Sequence, residues 1–325
     1  MNHIFFGGAK EAEDGNTWHI IQSHFRQVGY DLQTPATYTG RLEDASWVIF
    51  QNMPAEFKPL NFRRRVKRNV KRLFSEPTFY EKCLKAGLSE NLAVILYEPE
   101  IVTAYNYDER LHKLFKTVFT WNTPLFQSGA PYSEFVYPQP VHPAPLEVTT
   151  GFKDRKLICN FSANKNSSHP NELYSARIET IRFFEEHCLS DFDHFGRGWS
   201  SDYKSWRGPA SNKNETMAKY KFNLCYENAQ NFPGYVTEKI FDAFYAGCVP
   251  VYWGAPDIEL RIPSSCFIDR RQFKSNAELL HFLNNVDEPT WLNYISAAQD
   301  YLKSEAYAKH EPSSIFELLK RGLAL

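Results

Sequence analysis

Short apolar runs alternate with amphipathic segments along most of the chain. In the first half, "NHIFFGG", "ASWVIFQN" and "NLAVILYEP" have the length and composition of buried strands. The segment "WHIIQSHFRQVG" repeats its apolar positions at helical spacing and ends at Gly29, a residue type favoured just after a helix. "RLHKLFKTVFTW" is predicted as a helix running into a strand. Strands that alternate with helices predict a parallel sheet with both faces covered.

The second half repeats this alternation after a Pro-rich stretch. Residues 123–152 lack a helical period and are predicted to be a domain linker. After it, strands are predicted in "RKLICNFSAN", "DFDHFGRGW", "KFNLCYEN" and "CVPVYWG", and helices in "NELYSARIETIRFFEEH", "TEKIFDAFYAG", "SNAELLHFLNNV" and "PTWLNYISAAQDYLKSEAYAKH", with helix continuing to the end. We therefore predict an α/β protein of two Rossmann-like αβα domains, 1–145 and 150–325, facing across a cleft. In such sheets, ligands bind beyond the carboxyl ends of the strands.

One stretch, "YKFNLCYENAQNFPGYVTEKIFDAFYAGCVPVYWGAP", places polar residues between two apolar elements. Glu227 and Asn228 follow a strand, Thr237 is a suitable N-cap, and Glu238 and Lys239 lie in the first turn of the next helix. A helix N-terminus presents free N–H groups and partial positive charge, and Lys239 adds a full charge. The pattern indicates an anion site that suits a diphosphate. A surface Glu–Lys pair beside a helix cap is the alternative.

This stretch resembles the donor-binding signature of the alpha-1,3-fucosyltransferases. The family pattern is a strand ending in F-E-N, a short loop, Y-[VI]-T-E-K, a helix and [VI]-P-[VI]-x-x-G; Tyr226 stands where Phe is common. "LYSARIETIRFF" and "LYEPEIV" are similar to further family blocks. The resemblance implies the GT-B architecture. It also implies GDP-fucose as the donor, held by the C-terminal domain.

Carried over position by position, the resemblance implies a donor site made of Arg177, Glu227, Asn228, Tyr235, Glu238 and Lys239. Arg177 and Lys239 would hold the diphosphate, for which an arginine fork is well suited. Glu238 and Tyr235 would contact ribose and fucose, and the other two would line the pocket. For Arg177, a helix-surface arginine is the alternative.

The resemblance also implies a catalytic base. Inverting transfer needs a group that removes the proton of the acceptor hydroxyl. Glu98 ends the predicted strand "NLAVILYE" and matches the family's catalytic glutamate, with Glu100 as a second candidate and an idle, solvated glutamate as the other interpretation. The acceptor expected is a GlcNAc or LacNAc-type glycan, lipid-linked or not, joined in alpha-1,3 linkage. Trp121, Tyr105 and Tyr107 are candidates for stacking on acceptor sugars, with core positions as the alternative.

Composition narrows the competing functions. The 325 residues are 43% hydrophobic and 23% charged, with a net charge of −1, which is ordinary for a soluble enzyme and gives no general attraction to nucleic acid. Six cysteines without a C-x-x-C pair indicate buried free thiols rather than disulfides. A GT-B transferase of another nucleotide sugar stays open. The near-zero net charge disfavours a nucleic-acid-binding protein. An NAD-linked oxidoreductase is also disfavoured, because "FFGG" is not followed by G-x-G-x-x-G.

Metal use and membrane contact are the last expectations. The sequence has no Asp-x-Asp donor motif where a metal-dependent transferase would place one, so no metal is required, although the resemblance leaves stimulation by Mn²⁺ open. The run "FRRRVKRNVKRLF", 62–74, holds seven basic residues and suits an anionic membrane surface or a charged lipid-linked glycan; a solvated helix face is the alternative. We expect a cytoplasmic protein, or a peripheral one at the cytoplasmic membrane face, with the Golgi lumen the alternative if an N-terminal anchor was removed.

Overall fold

The computed structural model describes residues 2–7, 17–34, 37–38, 40–59, 76–139 and 150–325. The basic run 62–74, and with it the predicted membrane contact, lies outside the described residues. The described residues form two compact units, one within Met1–Val141 and Glu311–Leu325 and the other within His142–His310.

The first unit is built on a parallel sheet in the order β2-β1-β3-β4-β5-β6. Its strands are β1 (Asn2–Gly7), β2 (Tyr30–Gln33), β3 (Ala45–Gln51), β4 (Leu92–Leu96), β5 (Thr117–Thr120) and β6 (Tyr132–Glu134). β4 is buried along its whole length, which explains why its sequence is continuously apolar rather than alternating. The predicted strand-helix alternation is confirmed for this half.

Four described helices cover this sheet before the chain leaves it: α1 (Thr17–Gln27), α2 (Phe79–Lys85), α3 (Glu109–His112) and α4 (Thr123–Gln127). α1 buries Ile21 and Phe25, and the chain turns at Gly29 with a φ of +87°. α2 begins with a capping box in which Thr78 and Glu81 each bond the other's main-chain N–H. The predicted helix in "RLHKLFKTVFTW" shortens to the single turn of α3 before β5.

The second unit has a parallel five-stranded sheet in the order β11-β10-β9-β7-β8. Its strands are β7 (Lys156–Phe161), β8 (Phe192–Phe195), β9 (Tyr220–Tyr226), β10 (Val249–Trp253) and β11 (Ile268–Asp269). Its helices are α5 (Tyr174–His187), α6 (Lys213–Met217), α7 (Glu238–Tyr245), α8 (Asn276–Asn285), α9 (Glu288–Leu302) and α10 (Glu305–Ala308). Tyr226 pairs with Trp253, so the residues that follow β9 and β10 leave the sheet at the same edge.

The C-terminal helix α11 (Pro312–Gly322) belongs to the first unit, whereas the predicted second domain, 150–325, included it. Its apolar face joins the cluster that contains Phe25, and the rings of Phe25 and Phe316 meet edge to face at 4.9 Å. Burial of a Phe side chain stabilises a fold by roughly 1.5–3 kcal/mol, so this packing determines where the helix docks. The helix predicted upstream of it is also interrupted, since Ser304 caps a separate helix, α10.

The predicted linker at 123–152 is wrong at its start. Asn122 caps α4 by accepting the N–H of Leu125, and Pro124 lies in the first turn, where proline is tolerated. β6 then adds to the edge of the sheet beside β5. Both elements are too short for a periodic pattern to be visible in the sequence.

Two further predictions concern composition. Cys188 is half-buried and the other five cysteines are buried, and all six are free, as predicted. Among the helices that the structure describes, none combines the length and apolar character needed to cross a membrane.

Candidate active site

Glu227 is the centre of a buried polar cluster at the carboxyl end of β9. It is fully buried, and its carboxylate accepts the main-chain N–H of Thr237 at 2.8 Å and the Thr237 hydroxyl at 2.8 Å. The same carboxylate accepts from Lys239 Nζ at 2.9 Å. Thr237 stands at the predicted N-cap of α7, but its side chain bonds Glu227 rather than the helix. A buried carboxylate needs such compensation, because charge without partners is costly inside a protein.

Gly254 makes room for this cluster. It follows β10, and a Cβ atom there would lie 2.5 Å from both Glu227 Cγ and the Tyr252 hydroxyl oxygen. Only glycine therefore fits beside the carboxylate. The sequence showed this glycine as the end of a motif but did not indicate that its missing side chain is what the cluster requires.

Lys239 and Glu238 differ in how far they reach solvent. The Lys239 side chain is 18% exposed and that of Glu238 is 49% exposed. Burial opposes the charge on Lys239, but Glu227 and Glu238 outweigh it and raise its pKa above the ordinary lysine value. Burial also opposes ionisation of Glu238, yet the charges of Lys239 and Lys213 lower its pKa to about 2. At neutral pH Lys239 and Glu238 are therefore both charged.

Arg177 lies in the first turn of α5 and is 3% exposed, so it is not the helix-surface arginine of the alternative interpretation. Nη2 donates to the main-chain carbonyls of Tyr226 at 2.8 Å and Glu227 at 2.9 Å. Nε is buried and makes no hydrogen bond with the described residues. Burial lowers the pKa of Arg177. Its hydrogen-bond partners are thus neutral carbonyls.

The remaining predicted donor residues lie close to these groups. Asn228 Nδ2 is 3.4 Å from the hydroxyl of Tyr235, which is itself buried, and the Asn228 carbonyl accepts from Leu173. The loop between them is held by Asp257, which accepts the N–H of Gly234 at 2.8 Å. All six predicted donor residues therefore surround the end of β9 and the start of α7 and α5.

Tyr226 departs from the phenylalanine common in the family pattern, and the structure shows why a hydroxyl is tolerated there. The hydroxyl is buried between Arg270 Nε at 3.0 Å and Thr180 Oγ1 at 3.3 Å. Arg270 also donates to Asn276 at 3.0 Å. A buried hydroxyl with partners carries little penalty, but neither Arg270 nor Asn276 could be linked to position 226 from the sequence alone.

Glu98 lies in the first unit, two residues beyond the end of β4. Its main chain is bonded by two amide side chains: Asn52 accepts the N–H of Glu98 at 2.8 Å, and Asn106 donates to its carbonyl at 3.0 Å. Glu100 is half-buried nearby. Burial raises the pKa of Tyr107, and the charges of Glu100 and Glu98 add to that effect, so all three side chains share one neighbourhood.

Of the three aromatic candidates, Trp121 is a core residue, since it is buried and donates from Nε1 to the carbonyl of Tyr97 at 3.1 Å. Tyr105 and Tyr107 are half-buried. Tyr105 lines a cavity of about 630 Å³ in the same unit. The rest of its described lining is largely aromatic or apolar at the carboxyl ends of β1 and β3, with polar groups from Gln51, Asn52, Glu56 and Thr103. Such a lining suits a ligand with one apolar face and several hydroxyls.

Within the described ranges, no group of three or more His, Cys, Asp or Glu side chains is arranged to hold a metal ion. The need for a metal remains a matter of prediction.

Known proteins are similar to this chain in sequence and in fold. A family model described as "Glycosyltransferase family 10 (fucosyltransferase) C-term" matches residues 152–317, more than half of the chain. The chain is 43% identical over 72 residues to alpha-(1,3)-fucosyltransferase FucT of Helicobacter pylori, covering 22% of this chain and 15% of that protein. It is 28% identical over 151 residues to human 4-galactosyl-N-acetylglucosaminide 3-alpha-L-fucosyltransferase 9, covering 45% and 38%. The match therefore spans well under half the length of these relatives.

Two solved structures are similar in fold. A crystal structure of an alpha1,3-fucosyltransferase with GDP aligns over 100% of this chain and 90% of that one, with a TM-score of 0.55 and 16% identity. T4 phage BGT with UDP-glucose aligns over 100% of both chains, with a TM-score of 0.54 and 12% identity. The predicted GT-B fold with two Rossmann-like units is confirmed. The family match, in the unit that carries the Glu227 cluster, shows that the chain belongs to glycosyltransferase family 10, the fucosyltransferase family.

Proposed function

We propose that this protein transfers L-fucose from GDP-fucose to a hydroxyl of a GlcNAc or LacNAc-type glycan, with inversion at the anomeric carbon and an alpha-1,3 linkage. Family membership supports fucosyl transfer. The names of the relatives support the linkage and the N-acetylglucosaminide acceptor. The donor is held by the second unit and the acceptor by the first.

The observation that carries the proposal is the environment of Arg177. A guanidinium that is 3% exposed, bonds neutral carbonyls and keeps one buried N–H with no partner among the described residues favours an anion. It lies at the carboxyl end of β9, the edge of a parallel sheet where ligands bind. A diphosphate would supply acceptor oxygens for that N–H and further negative charge beside the guanidinium.

The start of α7 adds the second contribution to donor binding. Lys239 stays protonated because Glu227 and Glu238 raise its pKa. The free N–H groups of the helix also favour an anion. Together with Arg177, these groups would stabilise the negative charge that develops on GDP as the bond to fucose breaks. In this proposal Glu238 and Tyr235 contact ribose and fucose, and Asn228 lines the pocket. Glu227 forms an ion pair with Lys239.

Glu98 acts as the base on the acceptor side. Its carboxylate accepts the proton of the acceptor hydroxyl as the oxygen attacks the anomeric carbon of fucose. The bond from that carbon to the phosphate oxygen breaks, and its electron pair leaves with GDP. Proton, sugar and leaving group are thus accounted for by the two substrates and Glu98.

The cavity of about 630 Å³ is the proposed acceptor pocket. Its lining combines the apolar rings of Phe5, Phe50 and Phe79 with the polar residues Asn52 and Glu56, a mixture that suits a sugar. It contains Asn52, which also bonds the main chain of Glu98, so the pocket and the proposed base are joined by one side chain. We propose that no metal is needed and that the protein acts in the cytoplasm or at the cytoplasmic membrane face.

The test is a transfer assay with labelled GDP-fucose and a small panel of galactose–GlcNAc acceptors, with GDP-mannose and UDP-sugars as competing donors. Fucosylated product with GDP-fucose and none with the others supports the proposal. Transfer from another nucleotide sugar in its place would assign the chain a different donor. Measuring the linkage of the product decides the alpha-1,3 assignment, and repeating the assay in EDTA decides whether a metal is needed.

A further inference from the structure

We propose that Asn52 and Asn106 are positioning residues for the proposed base, because between them they bond both main-chain polar groups of Glu98. This inference rests on the proposed role of Glu98. It assigns a function to two asparagines that no motif in the sequence marks, and we refer to the pair as the amide clamp.

Asn52 follows β3 directly and adopts a φ of +65°. This left-handed conformation is uncommon outside glycine, and asparagine tolerates it better than most residues. Its N–H donates to the carbonyl of Ile95 at 2.8 Å, which ties it to β4. Its Oδ1 accepts two hydrogen bonds, from the N–H of Glu98 at 2.8 Å and from Asn106 Nδ2 at 2.7 Å.

Asn106 is fully buried, and its side-chain amide bonds three described partners. Nδ2 donates to Asn52 Oδ1 at 2.7 Å and to the carbonyl of Glu98 at 3.0 Å, while Oδ1 accepts the N–H of Met53 at 2.9 Å. The main-chain carbonyl of Asn106 is 2.7 Å from His112 Nε2. A carbonyl can only accept, so Nε2 donates to it, and Nδ1 lies 2.9 Å from the Tyr132 hydroxyl.

The amide clamp holds the main chain at Glu98, the residue that carries the proposed catalytic carboxylate. Glu98 lies beyond the last residue of β4, so the ladder of the sheet no longer holds it. Catalysis by a base depends on its placement, and an error of about 1 Å can cost on the order of 100-fold in rate. Two side-chain amides, the half-buried Asn52 and the fully buried Asn106, bond the main chain of Glu98 and so hold it just beyond the end of the strand.

The two asparagines use their amides differently, which gives a sharp test. Both side-chain hydrogen bonds described for Asn52 are accepted by its Oδ1, so Asn52→Asp keeps an acceptor in place. Asn106 donates to Glu98, so Asn106→Asp replaces that donor with a second acceptor facing a carbonyl. We expect kcat to fall roughly 10- to 100-fold in Asn106→Asp with the KM for GDP-fucose unchanged. Asn52→Asp retains most of the rate, and the added negative charge moves the acid limb of its kcat–pH profile to higher pH.

Hydrogen exchange of the Glu98 amide tests the clamp without using activity. Asn52→Gly keeps the left-handed backbone and removes the acceptor, so protection of that amide should fall about tenfold or more. The control is Asn91→Gly, which removes an equivalent bond, from Nδ2 to the Ser46 carbonyl at 2.9 Å, at the opposite end of β4. That variant should leave both the Glu98 amide and kcat unchanged.

Each outcome bears on the proposal. Unchanged exchange in Asn52→Gly overturns the clamp, and lost protection with normal kcat overturns its positioning role. Equal losses of kcat in the Asn52, Asn106 and Asn91 variants, matched by equal losses of melting temperature, would assign the asparagines to general stability. A wild-type protein that binds GDP but transfers no fucose would instead refute the proposed function. Hydrogen exchange of the Glu98 amide would still test whether the amide clamp holds that main chain.

Discussion

Two glutamates, Glu98 and Glu227, occupy equivalent places in the two units. Each emerges beyond a buried strand, β4 or β9, that has a neighbour on both sides of a parallel sheet. The hydrogen bonds described for them involve different parts of the two residues. The carboxylate of Glu227 bonds Thr237 and Lys239 inside the protein, whereas Asn52 and Asn106 bond the main chain of Glu98.

The difference teaches that a carboxylate at the end of a strand can serve two purposes. Glu227 acts through its charge, since it raises the pKa of Lys239 and forms an ion pair with it at the start of α7. The backbone of Glu98 is fixed by other side chains, which suits a group that must accept a proton and release it again. The predictions below test this contrast, from the largest expected effect to the smallest.

Glu98→Gln should show the largest effect. Loss of a general base typically costs 100-fold or more in rate, so kcat should fall by about that factor while GDP affinity stays the same. Glu100→Gln is the matched control two residues away. Initial rates of fucose transfer and titration with GDP measure both quantities. A normal rate for Glu98→Gln together with a slow Glu100→Gln would move the base to Glu100.

Arg177→Gln should weaken GDP binding more than any change on the exposed face of α5. Hydrogen bonds to charged groups contribute about 1.5–3 kcal/mol, which corresponds to a roughly 10- to 150-fold higher Kd. Arg182→Gln is the control, because Arg182 lies on the same helix but is exposed over the ring of Tyr203. Calorimetric titration with GDP compares the two. Equal affinities would refute the phosphate role of Arg177.

Gly254→Ala tests how tightly the Glu227 cluster is packed. A Cβ atom 2.5 Å from Glu227 Cγ forces a shift, and such overpacking costs about 1–3 kcal/mol of unfolding free energy. Urea unfolding should show this loss, and GDP binding should weaken with it. Gly151→Ala is the control, since among the described residues its new Cβ would meet an Asp154 side-chain oxygen alone, at 3.2 Å. Equal stability of the two variants would contradict the packing argument.

Filling the cavity of the first unit should affect the acceptor alone. Ala55 lines the cavity and is the first residue of a short 3-10 helix, so Ala55→Phe should raise the KM for the acceptor about fivefold, equivalent to ~1 kcal/mol. The control is Ala104→Phe, which adds the same bulk at an exposed position that is not among the described lining residues. An acceptor KM that rises equally in both variants would place the acceptor elsewhere.

The smallest effect concerns Glu238 and pH. Its pKa is lowered to about 2, so its ionic contribution to stability is present above about pH 4.5 and is lost as the pH falls toward 2. Because its side chain is 49% exposed, solvent limits that contribution to at most about 1 kcal/mol. Urea unfolding of the wild type and Glu238→Gln should therefore differ at pH 6 and converge near pH 2. A gap that widens on acidification would reverse the assigned sign.

The sequence by itself determined the αβ alternation, the start of α7 at Thr237 and Glu238, and the grouping of the donor candidates around one loop. These follow from local periodicity, capping residues and a motif of about 35 contiguous residues. Buried parallel strands have continuous apolar runs that are visible without any knowledge of their neighbours. The sequence did not reveal α4 and β6, because five and three residues are too few for a periodic pattern to recur.

Only the tertiary structure decided the rest. It placed α11 in the first unit, paired Lys239 with Glu227, and joined Asn52 and Asn106 to Glu98. It also left an N–H of Arg177 buried with no partner in the part of the chain that the structure describes. The hydrogen bonds among Asn52, Glu98 and Asn106 join residues that are 8 to 54 positions apart in the sequence. The other contacts join separate helices and strands. They arise from the three-dimensional packing of side chains, and such packing leaves no periodic trace in the chain.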